Sequence, residues 1–104
     1  MSIRKRADIG IVFSVNAEGG ILVRELTGRT EGDGMFHAGR LAGKHVILAV
    51  SGIGKVNAAH ACTRLIHEFS PAVIMNIGIG GAYPSSGLKI GDVAVAEKEI
   101  YGDE

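Results

Sequence analysis

At 104 residues the chain is one domain at most, long enough to bury a core. Its 11 Lys and Arg balance 11 Asp and Glu, and only 5% is aromatic, which argues against a nucleic-acid or membrane-surface partner. The apolar share of 46% contains no run of membrane-spanning length, and the single Cys62 excludes an internal disulfide, so a reducing, cytoplasmic setting is expected.

Residues 8–15 (Asp8-Ile-Gly-Ile-Val-Phe-Ser-Val15) are β-branched and nearly continuous in apolar character, the pattern of a buried strand. The basic start at Arg4-Lys-Arg6 raises a signal-peptide reading, but Asp8 and Asn16 interrupt the stretch that follows and favour the strand. Asn16 is placed to cap a helix over residues 18–26, with Glu18 in the positive first turn. Residues 27–34 are polar and punctuated by glycine, and read as a loop. Residues 34–41 and 45–50 then form a tight hairpin turning through Ala42-Gly43.

The helical spacing of residues 55–69 is clearer. Val56, Ala59, Cys62 or Thr63, Ile66 and Phe69 recur at three- and four-residue steps and predict one inward stripe, with Cys62 a small buried filler. Ser70-Pro71 stops the helix. A second apolar run starts at Ala72, and after it come glycines at 78–81, a turn at 85–88, a strand at 89–96 and a polar tail at 97–104.

Two apolar runs thus lead straight into glycines: His45-Val-Ile-Leu-Ala-Val50 into Ser51-Gly-Ile-Gly54, and Ala72-Val-Ile-Met-Asn-Ile77 into Gly78-Ile-Gly-Gly81. With a helix between them this is a βαβ unit, and both loops fall at the carboxyl ends of parallel strands, where open α/β sheets bind ligands. The same glycines also serve as tight turns in a compact sheet, and spacing leaves both readings open. A parallel sheet is covered on both faces by helices. One good helix and one doubtful one leave surface for a partner chain, or for the rest of a longer protein.

Neither loop carries the third glycine of the dinucleotide fingerprint, and Gly54-Lys55 is followed by Val56 instead of the Ser or Thr of a P-loop. His37, His45, His60 and His67 show no metal spacing, so no metal is expected. Glu18 should reach the same sheet edge as the two glycine loops, where a carboxylate can orient and deprotonate a water. As a simple first-turn carboxylate it needs no such role. Asp92 reads as a turn residue.

Three stretches, Ser51-Gly-Ile-Gly-Lys-Val-Asn-Ala-Ala59, Asn76-Ile-Gly-Ile-Gly-Gly-Ala-Tyr-Pro84 and Ser86-Gly-Leu-Lys-Ile-Gly-Asp-Val93, resemble the nucleoside phosphorylase and nucleosidase superfamily. With the ending Ala96-Glu-Lys-Glu-Ile-Tyr-Gly-Asp-Glu104, the resemblance is to its futalosine hydrolases. It implies a three-layer α/β fold with a central mostly parallel sheet, here truncated, with residues 1–104 forming the amino-terminal portion of a single domain. It also implies hydrolysis of the N-glycosidic bond of a purine nucleoside, futalosine first, without a cofactor, in a protein that is a dimer at full length. The residues carried over are Glu18 as the catalytic carboxylate near the attacking water, and Ile53, Gly78, Ile79, Gly80 and Gly81 as substrate-binding positions. Ile79 departs from the serine of methylthioadenosine/S-adenosylhomocysteine nucleosidases and many phosphorylases, which disfavours those substrates and phosphate use. Relatives are about twice as long, with the ribose-gripping glutamate and the base-protonating acid in the other half. Little or no turnover is therefore expected of this chain alone. The competing readings are a methylthioadenosine/S-adenosylhomocysteine nucleosidase or purine nucleoside phosphorylase, a non-catalytic nucleoside-binding or assembly module, and a piece that does not fold alone.

Overall fold

A computed structural model describes residues 6–31, 34–100 and 102. In chain order the elements are strand β1 (Ile9–Phe13), helix α1 (Asn16–Glu25), strands β2 (Thr27–Glu31), β3 (Phe36–Leu41) and β4 (Lys44–Val50), helix α2 (Lys55–Phe69), strand β5 (Val73–Asn76) and a short 3₁₀ turn at Pro84–Ser86. The five strands form one mixed sheet in the order β2-β3-β4-β1-β5. β1 lies parallel to both β4 and β5, whereas β2, β3 and β4 pair antiparallel.

The period of two along β1 and β4 divides their side chains between two cores. Ile11, Phe13, Val46 and Leu48 pack with Leu22, Val23 and Leu26 on the α1 side. Val12, Ile47 and Ala49 pack with Ala61, Leu65 and Phe69 on the α2 side. Helix, sheet and helix make the three expected layers. Both central strands are buried on both faces, which is why their sequences read as continuous apolar runs.

Glycines set how closely the layers approach. A Cβ at Gly10 would lie 2.6 Å from Leu65 Cδ2, so α2 sits against β1 where a side chain is absent. The β3–β4 hairpin turns through Ala42 and Gly43, both at positive φ (51° and 78°), the backbone of a two-residue type I′ turn.

The inward stripe of α2 is rotated from its expected position. Ala61 and Leu65 are fully buried, while Val56 and Ile66 are 84% and 52% exposed. Both sets follow helical spacing, and the sheet takes the one whose small Ala61 and long Leu65 fit over Gly10 and Val12. Cys62, a free thiol at the margin of this contact, is half-buried. Leu65→Ala is expected to cost about 2–5 kcal/mol. Ile66→Ser should change stability by less than about 0.5 kcal/mol, as an exposed site does. Urea unfolding of both variants reads this difference.

Other boundaries differ for identifiable reasons. Residues 27–31, expected as loop, form edge strand β2. Residues 27–30 are exposed and show no apolar alternation, yet the strand completes the backbone pairing of β3, with an irregular register between Thr27 and Thr30. Asn16 is the first residue of α1 instead of its cap. Val15 takes the extended N-cap position, and no side chain caps the helix. The expected strand at residues 89–96 does not form. Its residues make no ladder, and Ile90, Val93 and Val95 are almost fully exposed. A strand needs a neighbour for its amides, and the chain leaves the sheet at Gly78 and turns at Pro84 before reaching one. Asp92 closes a turn as expected, its carboxylate accepting the Lys89 N–H at 2.8 Å. Residues 97–100 have no regular structure, and the tail at 101, 103 and 104 lies outside the described residues. Among the described residues no helix is long and apolar enough to cross a membrane.

Candidate functional site

The parallel pairing of β4, β1 and β5 brings three strand ends to one rim. Ser51 N–H donates to Phe13 O and Gly52 N–H to Ser14 O, both at 2.9 Å, and Ile77 N–H donates to Val12 O at 3.0 Å. The loop after β4 and the loop after β5 therefore flank the β1–α1 junction, with Glu18 one residue short of a full helical turn beyond it.

Glu18 sits at the amino-terminal end of α1, where the helix dipole favours a negative charge. Its carboxylate does not turn back to its own helix. Oε2 accepts the backbone N–H of Ile79 at 2.9 Å, linking the first strand's junction to the loop after the last. Gly78 makes room for this, since a Cβ there would lie 2.9 Å from the same oxygen. A carboxylate offers about four acceptor sites, so one amide leaves capacity for a water or a hydroxyl.

Gly78→Ala is accordingly expected to move a side chain and leave the fold intact. The group in its way is the far end of a flexible glutamate, and Gly78 has no positive φ. Glu18 should swing off the Ile79 amide at a cost of about 0.5–1.5 kcal/mol. An upfield shift and faster hydrogen exchange of the Ile79 amide proton, without a comparable loss in melting temperature, is the result to look for.

Of the positions named from sequence, the structure brings Glu18, Gly78 and Ile79 into contact. Ile53 stands on the same rim after β4 with its side chain 77% exposed. Gly80 and Gly81 follow in the loop, and a Cβ at either would meet nothing within 4 Å. A cleft of about 690 Å³ opens on the loop, lined by Gly78, Ile79, Gly80 and Gly81 and walled opposite by residues 88–94. Glu18 and Ile53 do not line it. The rim gathers these residues but does not enclose them, and Ile53 in particular stands open to solvent.

Asn57 is not among the site residues named from sequence, and it lies off the inward stripe expected for α2. In the structure its Nδ2 donates to Ile53 O at 2.8 Å, so it ties the helix to the loop after β4. The available signal was an amide residue in the first turn directly after a Gly-Ile-Gly loop. Among the described residues no group of three or more His, Cys, Asp or Glu could hold a metal ion.

The model of the phosphorylase superfamily matches residues 8–104. Among curated proteins, the chain is 40% identical over 98 residues to a 5′-methylthioadenosine/S-adenosylhomocysteine nucleosidase of Listeria monocytogenes, covering 91% of this chain and 42% of that one. A protein of the same name from Staphylococcus epidermidis is 41% identical over the same shares. The chain thus spans about two fifths of the length of these relatives. Among solved structures, the nucleosidase of Colwellia psychrerythraea in complex with adenine superposes with a TM-score of 0.72 at 38% identity, over 86% of this chain and 38% of that one. The Neisseria meningitidis nucleosidase in complex with methylthio-immucillin-A gives 0.59 at 37%, over 65% and 31%. These relatives bear the methylthioadenosine/S-adenosylhomocysteine name, not the futalosine one expected from the motifs. The family model covers nearly the whole described chain, and the solved relatives share its α/β sheet: this chain belongs to the phosphorylase superfamily.

Proposed function

We propose that this chain carries part of the active site of a purine nucleosidase, a hydrolase of the N-glycosidic bond of a 5′-substituted nucleoside. The observation that carries this reading is the Glu18 carboxylate held by the Ile79 amide on the rim where both glycine loops end. In such a reaction positive charge builds on the sugar as the base departs, and a water attacks the anomeric carbon. Glu18 is suited to accept that water's proton and to sit near the developing charge. The loop of Gly78, Ile79, Gly80 and Gly81, free of bulky side chains at three positions, lets backbone approach the nucleoside, and Ile53 meets the 5′ substituent. Protonation of the leaving base is assigned to none of the described residues. Residues 1–104 then act as one domain portion, completed by further chain, and assembly as a dimer belongs to that completed form.

The names of the relatives favour 5′-methylthioadenosine and S-adenosylhomocysteine as substrates. A second reading, futalosine, rests on Ile79, an apolar and 78% exposed side chain in the loop after β5. Release of adenine from methylthioadenosine against release of hypoxanthine from futalosine separates the two. The assay is run on this chain and on a form extended by downstream sequence to the relatives' length. The chain alone should show little or no turnover, and an extended form that hydrolyses neither substrate overturns the proposal.

A further inference from the structure

Ile53 lies between two glycines held at positive φ, Gly52 at 86° and Gly54 at 98°. Such a segment has a wide choice of backbone conformations unless something fixes it. The bonds from Ser51 and Gly52 to the end of β1 hold the loop only as far as Gly52. Beyond that point Gly54 O accepts the Ala58 N–H at 3.0 Å as α2 begins, and Ile53 itself is held by Asn57, whose Nδ2 donates to its carbonyl at 2.8 Å. The same amide covers Gly52, where a Cβ would lie 3.1 Å from Nδ2. The amino terminus of α2 receives no side-chain cap, so the Asn57 amide serves the loop and not its own helix end.

We propose that Asn57 is a positioning residue that fixes Ile53 on the rim and so sets the preference for nucleosides bearing an apolar 5′ substituent. What Ile53 touches rests on the nucleosidase reading; the clamp itself does not. A free purine base does not reach the sugar's far end, so the clamp should matter to a 5′-substituted nucleoside and not to the base.

Two variants separate the hydrogen bond from packing. Asn57→Ala removes both. Asn57→Asp keeps the shape over Gly52, cannot donate to the Ile53 carbonyl, and adds a negative charge that suits a helix amino terminus. In isotopically labelled chain, backbone order parameters at Ile53 and Gly54 should fall below about 0.6 in both variants while β1 and β4 stay near about 0.85. Asn57→Asp should do this with no loss of melting temperature, which a merely structural role would not produce. Unchanged order parameters in both variants overturn the clamp, whatever binds. In calorimetric titrations each variant should lose about three- to tenfold more affinity for 5′-methylthioadenosine than for adenine, the worth of one exposed hydrogen bond. Equal losses for the two probes overturn the specificity role. If the unsubstituted chain binds neither probe, the same comparison is made on the extended form. Failure to bind there counts against the nucleosidase reading, while the order parameters still decide the clamp.

Discussion

Glu18→Gln is expected to lower N-glycosidic hydrolysis by about 10²–10⁴-fold in the form of the protein that turns over, the range lost when a positioned base is removed. The substitution is close to isosteric. The glutamine oxygen can still accept the Ile79 N–H that the carboxylate accepts at 2.9 Å, so loop and helix should keep their places. What disappears is the negative charge and the capacity to take a proton. A fall in kcat with KM for the nucleoside little changed, and with an unaltered melting temperature, is the expected pattern. Undiminished kcat would return Glu18 to the role of a helix first-turn carboxylate and would remove the main support for the proposed function.

The largest effect on the fold is expected from Phe13→Ala. Phe13 ends β1, is fully buried, and packs with Ile11, Leu26, Val46 and Leu48. Truncating a buried phenylalanine costs about 3–5 kcal/mol, a large part of the roughly 5–15 kcal/mol that holds a domain together. In a chain of this size the melting temperature should drop by more than about 12 °C. The ring also sets where Glu18 can stand. Gly19, the next residue of α1, lies directly over it, and a Cβ at Gly19 would come within 2.5 Å of three ring carbons. Helix propensity alone favours alanine over glycine by about 1 kcal/mol. Because the ring is enclosed and cannot yield, Gly19→Ala should nonetheless destabilise, by about 1–3 kcal/mol. In a Phe13→Leu background that penalty should shrink or reverse, and a double-mutant cycle measures the difference.

The strands at the centre of the sheet were legible in the amino-acid order because burial on both faces makes them apolar throughout. The hairpin and the extent of α2 were legible too, since turn residues and the Ser70-Pro71 stop act locally. Edge strand β2 was not. Its residues satisfy the amides of β3 while contributing little to either core, and neither fact leaves a trace in hydrophobic patterning. The failed strand at residues 89–96 is the converse: an adequate local pattern with no neighbour to pair with.

The candidate site divides along the same line. Composition and spacing determined that two apolar runs end in glycine loops and that a carboxylate follows an earlier apolar run, because strands and turns are written in short-range residue preferences. Tertiary packing decided which face of α2 meets the sheet and that Glu18 reaches across to the amide of Ile79. Those contacts join residues up to 61 positions apart. They depend on strand order and on close approach at Gly10, Gly19 and Gly78, quantities that no local window of residues encodes.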